Sequence, residues 1–195
     1  MARILVIYGT TDGQTRRIAN RMAEVLVALG QEVEIFDSAA APPQLAPGDF
    51  DAALVLGSVR MGKHQQSLAD FVSKFRLELD AIPNAFVSVS LAAARDRPSA
   101  QREVAKTFQH FSARTGWRPN AELAVAGALP YTRYSLRIRL VMKFISWMMG
   151  GDTDTSRDYE YTDWRLVDDF ARRFAAALVQ APLARAAAEE LQPAQ

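Results

Sequence analysis

The sequence predicts an α/β domain in which a parallel sheet is covered by helices on both faces. Three observations lead there. Short apolar runs rich in β-branched residues recur along the chain, too short for helices and without polar alternation, as buried strands require. Each is followed by a stretch with apolar residues at helical spacing, and strand–helix alternation of this kind implies parallel strands with right-handed crossovers. At 195 residues, with 49% hydrophobic and 23% charged residues, the chain has the ordinary composition of one globular folding unit.

The elements follow in order. Ile4-Leu5-Val6-Ile7 reads as the first strand, and Ile18, Ala19, Met22, Ala23, Val25, Leu26 and Leu29 as the apolar face of a first helix stopped by Gly30. Glu32 to Phe36 alternates as a second strand and leads into a Pro/Ala-rich loop from Ala39 to Gly48. Ala52 to Gly57 is a third, buried strand. A helix over Gln66 to Leu79 carries Leu68, Phe71, Val72, Phe75 and Leu79 on one face. Ala85 to Ser90 is a fourth strand, Ser99 to Ala113 a helix, Glu122 to Gly127 a fifth strand, and Asp163 to Val179 the last helix. The expected domain is 1–180, with an insertion over 128–158 and an Ala/Pro-rich tail over 181–195 that has the composition of a frayed helix.

Between the first strand and first helix lies Tyr8-Gly-Thr-Thr-Asp-Gly-Gln-Thr15. A turn into a helix N-terminus offers unpaired backbone N–H groups and the positive end of the helix dipole, here beside several hydroxyl and amide side chains, which is the make-up of a phosphate site. The same residues also suit plain helix capping. No G-x-x-x-x-G-K-[ST] or G-x-G-x-x-G is present, so neither a nucleoside triphosphate nor a dinucleotide pyrophosphate is provided for. A hydroxyl-lined loop without lysine suits a single phosphomonoester.

In a sheet of this kind ligands bind beyond the carboxyl ends of the strands. The other loops there are Gly57-Ser-Val-Arg-Met-Gly-Lys-His64, Ser90-Leu-Ala-Ala-Ala-Arg95 and the chain from Gly127 onward. In the first of these two glycines let backbone approach a flat ligand, while Arg60, Lys63 and His64 add positive charge. Neither loop carries an aromatic side chain, so Met61 and Leu91 would have to face such a ligand.

The stretch between the fifth strand and the last helix is far longer than an ordinary loop, and insertions of that size are usually functional. Within it Tyr134 to Met149 reads as a helix ended by Gly150-Gly151, apolar around most of its circumference and basic at Arg137, Arg139 and Lys143. At about 1.5 Å per residue it extends roughly 24 Å, short of a hydrocarbon core of about 30 Å, so it does not span a bilayer. Arg137, Arg139 and Lys143 favour an anionic membrane surface, with Leu140 and Phe144 on the apolar arc and Trp147 at the interface. Docking on its own core or on a partner is the competing reading.

Charge and composition exclude other classes. A formal net charge of +1 gives no reason to expect nucleic acid and differs from the acidic surface of soluble electron carriers. With no cysteine there is no disulfide, Fe–S cluster or thiol chemistry, so redox work needs a bound cofactor. Met1-Ala-Arg leads directly into the first strand without a signal peptide, so the expected location is cytoplasmic.

The T-T-x-G-x-T pattern at Thr10 to Thr15 resembles the phosphate loop of flavodoxins. Together with Gly57-Ser-Val-Arg60, Trp117-Arg-Pro119, Ala126-Gly-Ala-Leu-Pro-Tyr-Thr-Arg-Tyr134, Gly150-Gly-Asp-Thr-Asp-Thr155 and Tyr161-Thr-Asp-Trp164, it is similar in order and content to the flavodoxin-like protoporphyrinogen IX dehydrogenases of bacterial haem synthesis. The resemblance covers Ile4 to Val179 and departs at Met61, where members often carry tyrosine.

That resemblance implies a flavodoxin-like doubly wound five-stranded sheet of order 2-1-3-4-5, with the basic amphipathic insertion after strand five. It implies FMN held by Thr10, Thr11, Asp12, Gly13, Gln14 and Thr15, by Ser58, Val59, Arg60, Met61 and Gly62, and by Ser90, Leu91 and Ala92. The implied reaction is removal of six electrons from protoporphyrinogen IX in two-electron steps, with menaquinone or ubiquinone as acceptor at the cytoplasmic face of the inner membrane. Arg60 and Arg95 are the expected propionate partners. No residue stands out as acid or base: His64 is a candidate proton relay or simply a solvated loop residue, His110 a surface residue, and Asp12 a cap. The alternatives are an electron carrier that docks on a redox partner, or an NAD(P)H:quinone reductase.

Overall fold

The computed structural model describes residues 1–129, 131 and 154–190, with 180–190 described by backbone alone. Its centre is a parallel five-stranded sheet of order β2-β1-β3-β4-β5, formed by β1 (Arg3–Gly9), β2 (Glu32–Asp37), β3 (Ala52–Ser58), β4 (Asn84–Ser90) and β5 (Ala121–Ala126). The inner strands are the continuous apolar runs of the sequence and are almost wholly buried, while the edge strands β2 and β5 are half exposed. In-register pairing of Gly9 with Gly57 and of Ser58 with Val89 brings the carboxyl ends of β1, β3 and β4 level.

One face of the sheet is covered by α1 (Gln14–Ala28) and α5 (Trp164–Glu190), which bury Ile18, Met22, Leu26, Val167, Phe170 and Phe174 against Ile4, Val6, Leu54 and Val87. Arg21 clasps Asp168 across the two helices through two hydrogen bonds of 2.7 Å. The other face is covered by α2 (Gln66–Lys74), α3 (Arg76–Ala81) and α4 (Pro98–Thr115), with Leu68, Phe71, Leu79, Phe108, Phe111 and Trp117 on Leu5, Ile7, Val55 and Phe86. Strands β6 (Ala128–Leu129) and β7 (Tyr159–Glu160) form a separate antiparallel pair where the insertion leaves and rejoins the domain.

Two elements differ from expectation. The helix expected over Gln66 to Leu79 is two helices that meet at Phe75 (φ −105°), and the second packs beside the Pro47–Asp49 turn, where Glu78 accepts a hydrogen bond from the Gly48 N–H at 3.0 Å. The last helix does not stop at Val179. Its backbone continues through Glu190, so most of the expected tail extends the helix, as its alanine content favours. The expected helix over 134–149, with Arg137, Arg139, Leu140, Lys143, Phe144 and Trp147, lies outside the described residues.

Candidate cofactor site at the carboxyl end of the sheet

The turn after β1 leads into the first turn of α1 with its N–H groups uncapped by any side chain among the described residues. Gly13, the residue before α1, sits at φ +90°, and a Cβ there would touch nothing within 4 Å. Glycine is therefore required by the left-handed backbone and not by crowding. Its N–H donates to Thr10 Oγ1 (3.0 Å), which fixes the loop, and no side chain caps the helix. The first N–H groups of α1 thus keep no partner within the helix. Beside them Thr15 is fully buried, and its Oγ1 has no hydrogen-bond partner among the described residues. Buried hydroxyls are nearly always satisfied, so an unpaired one at a helix N-terminus marks a place for an acceptor such as a phosphate oxygen.

These residues line one side of a cavity of about 290 Å³. Thr10, Thr11, Asp12, Gln14 and Thr15 come from the first loop, Ser58, Val59, Arg60, Met61 and Gly62 from the second, and Ser90, Leu91 and Ala92 from the third. Gly127, Ala128 and Leu129 come from the loop expected there from Gly127 onward, and Val89 and Glu103 on α4 complete the lining. Nothing local in the sequence singles out Glu103 among the polar residues of its helix.

The second loop is a tight hairpin. Arg60 N–H donates to Lys63 O (2.8 Å) and Lys63 N–H to Arg60 O (3.1 Å), with Met61 at φ +50° and Gly62 at φ +74° between them. This presents Met61 almost fully exposed at the cavity rim, 93% of its surface in solvent. Gln65 ties the second loop to the first, since its Nε2 donates to both Thr11 Oγ1 (3.1 Å) and Ser58 Oγ. It was not anticipated from sequence.

Four expectations change. His64 is not a solvated loop residue and does not line the cavity: it is buried between Phe86 and Phe111 (centroids at 5.1 and 5.0 Å) and hydrogen-bonded through Nε2 to Ser88 Oγ at 3.0 Å. Burial, helped by His110 and Arg114, lowers its pKa to about 4, so it is neutral near pH 7. Gly57 serves this ring and not a ligand. A Cβ there would stand 2.8 Å from both His64 Cδ2 and Leu68 Cδ2. Arg95 does not join Arg60 but lines a separate, larger groove of about 1070 Å³ between α4 and β5, with Arg118, Glu122 and Ala124. Gln14 lines the cavity, yet its carboxamide is engaged elsewhere: Nε2 donates to Glu160 Oε1 (3.1 Å) and Thr162 Oγ1 (2.8 Å), and Oε1 accepts from Arg17 (2.9 Å). What it offers an anion is its backbone N–H.

The donor set, a buried unpaired hydroxyl and open N–H groups at a helix N-terminus with no lysine among the lining residues, fits one phosphate monoester. The apolar floor of Val59, Val89, Leu91 and Leu129 fits a flat ring system attached to it.

Fold and site together define a doubly wound α/β protein in which the turn at the carboxyl end of the first strand leaves a helix N-terminus open beside a cavity. Residues 5–156 match the family model of the flavodoxin domain. Protoporphyrinogen IX dehydrogenase (quinone) of Escherichia coli strain K12 is 34% identical over 175 residues, covering 89% of this chain and 94% of that protein. The protein of the same name from Leishmania major is 32% identical over 185 residues, covering 92% of this chain and 78% of its own. Among solved structures, a short-chain flavodoxin associated with a bacterial microcompartment superposes with a TM-score of 0.54 at 15% identity over 93% of this chain and 99% of its own, a likeness of fold alone. The chain belongs to the flavodoxin-domain family and, within it, to the protoporphyrinogen IX dehydrogenases (quinone).

Proposed function

We propose that this protein binds FMN in the cavity beyond β1, β3 and β4 and oxidises protoporphyrinogen IX to protoporphyrin IX, with a membrane quinone as electron acceptor. The observation that carries the cofactor half is the buried, unpaired Thr15 hydroxyl at the open N-terminus of α1. The naming of relatives that share 34% identity across nearly the whole chain supports the substrate and the acceptor. When bound, FMN supplies two-electron acceptance and release. The protein's own residues do the rest. Thr10, Thr11 and Thr15 with the first N–H groups of α1 hold the phosphate; Ser58 to Gly62 and Ser90 to Ala92 border the ring; Met61 presents an apolar rim to an apolar substrate.

Arg60, exposed at that rim, is placed to pair with a propionate of the porphyrinogen. Arg60→Ala raises KM for protoporphyrinogen by about tenfold, the scale of one charge-assisted pair of about 1.5 kcal/mol, and leaves quinone reduction by chemically reduced enzyme unchanged. Rapid-mixing measurement of the two half-reactions checks this, and loss of both together would place the arginine on the flavin or the fold. The larger groove that holds Arg95 is not part of this reading.

Contact with the membrane is peripheral. Among the described residues no helix is long and apolar enough to cross a membrane. Residues 134–149 combine a broad apolar arc with Arg137, Arg139 and Lys143, the pattern of a helix lying at an anionic surface. Each cation adds on the order of 1 kcal/mol of attraction to anionic lipid. Changing these three to glutamate abolishes sedimentation with anionic vesicles at physiological salt while FMN content stays unchanged. Binding that survives the change would remove the electrostatic part of the proposal.

A further inference from the structure

Gln14 is buried at the edge of the cavity with both N–H donors of its carboxamide used, by Glu160 and Thr162, and its oxygen accepting from Arg17. A glutamine satisfied in this way has one orientation and resists displacement. Its partners are themselves held. Arg17 donates to Glu160 Oε2 (2.9 Å) and lies over the Trp164 ring at 5.4 Å. Burial raises the Glu160 carboxyl pKa, but the hydrogen bonds from Arg17 and Gln14 outweigh it, and the net shift is downward, so the group accepts as a carboxylate.

The same segment grips the opposite wall of the cavity. Thr162 Oγ1 donates to Ala126 O (2.8 Å) and Tyr161 N–H to Gly127 O (3.1 Å). Strand β7 pairs Glu160 with Ala128 and Tyr159 with Leu129, and Ala128 and Leu129 face the cavity. Tyr131, fully buried, sets its ring edge-on to Tyr159 at 6.1 Å. Glu160 and Thr162 do not line the cavity, yet between them they connect the N-terminus of α1, where a phosphate would sit, to the Gly127–Leu129 wall.

We propose that Glu160 and Thr162 are positioning residues for the porphyrinogen reaction, acting through Gln14 to fix the Gly127–Leu129 wall relative to the phosphate end of the flavin site. The reaction half of this rests on the function proposed above, while the coupling of phosphate seat to wall does not. The side-chain route, not the backbone pairing of β6 and β7 alone, sets the wall.

The test uses the FMN-loaded full chain carrying Glu160→Ala, Glu160→Gln or Thr162→Val, with two readouts. In Glu160→Ala and Thr162→Val, amide exchange at residues 127–129 and 159–162 rises by about tenfold while β1 and β3 amides keep their protection, as a local opening requires. KM for protoporphyrinogen rises by about fivefold or more, with a smaller change in kcat. Glu160→Gln keeps an acceptor oxygen for Gln14 and returns both readouts to within about twofold of the parent.

Parent-like exchange in Glu160→Ala overturns the proposal, as does exchange that rises equally in β1 and β3, which would make the effect global. A glutamine variant as impaired as the alanine one would assign the effect to the Arg17 ion pair and overturn the route through Gln14. If the parent protein does not turn over protoporphyrinogen, the functional reading fails, and the exchange arm still decides the coupling.

Discussion

Replacing Thr11 and Thr15 together with valine lowers FMN affinity by about a hundredfold or more while the flavin-free protein stays folded. Each hydroxyl would donate to a phosphate oxygen in a charge-assisted hydrogen bond worth about 1.5–3 kcal/mol, and each 1.4 kcal/mol is about tenfold in affinity. The two residues have different cost without ligand. Thr15 Oγ1 is buried with no partner among the described residues, so its removal relieves an unmet polar group and leaves the unfolding midpoint of the flavin-free protein unchanged or higher. Thr11 is exposed and loses only the contact from Gln65 at 3.1 Å. Titration of flavin fluorescence gives the affinity and thermal unfolding gives the stability. Unchanged affinity would remove the phosphate from this loop, and a fall in both would make Thr15 a structural residue.

His64 makes stability fall in mild acid. Its folded pKa of about 4 lies below the ordinary 6.5 because burial disfavours the charged ring. The unfolded chain therefore takes up the proton first. Stability from this group is complete above about pH 6.5, declines as pH falls towards about 4, and is constant below, at about 1.4 kcal/mol per unit. Between about pH 7 and pH 4.5 the parent loses about 2–3 kcal/mol more than His64→Leu, which does not titrate. Carboxylates with lowered pKa, Asp168 held by Arg21 and Glu160 by Arg17, act in the same direction in both proteins and cancel in the difference. Urea unfolding at the two pH values measures it. Equal losses would mean that the ring is solvated or charged in the fold.

The sheet was legible because its strands are continuous apolar runs whose period needs no partner to be read, and Gly13 announces the helix N-terminus by its place after the first strand. The strand–helix alternation follows from such local signals, and the strand order from the resemblance. What sequence could not show are side-chain commitments made over long separations. Gln14 lies 146 and 148 residues from Glu160 and Thr162, and in the loop it reads as one more phosphate donor. His64 reads as a basic loop residue because the space that buries it is made by the missing side chain of Gly57 and by Phe86 and Phe111 on other elements. Arg95 follows an apolar loop that does face the cavity at Leu91 and Ala92, and the short helical turn at Ala92–Ala94 then carries the arginine to the neighbouring groove.

Oxidation of a porphyrinogen at a flavin, with the electrons handed to a quinone, has a fixed stoichiometry. Anaerobic steady-state turnover of protoporphyrinogen IX by the FMN-loaded protein tests it, with protoporphyrin followed by its fluorescence and quinone consumption followed by absorbance. One protoporphyrin forms for about every three quinones reduced, since each quinone takes two of the six electrons, and there is no turnover when either FMN or quinone is left out. A flavin-loaded protein that is reduced by a redox partner or a nicotinamide but not by protoporphyrinogen, with or without quinone, would contradict it and leave an electron carrier or a quinone reductase.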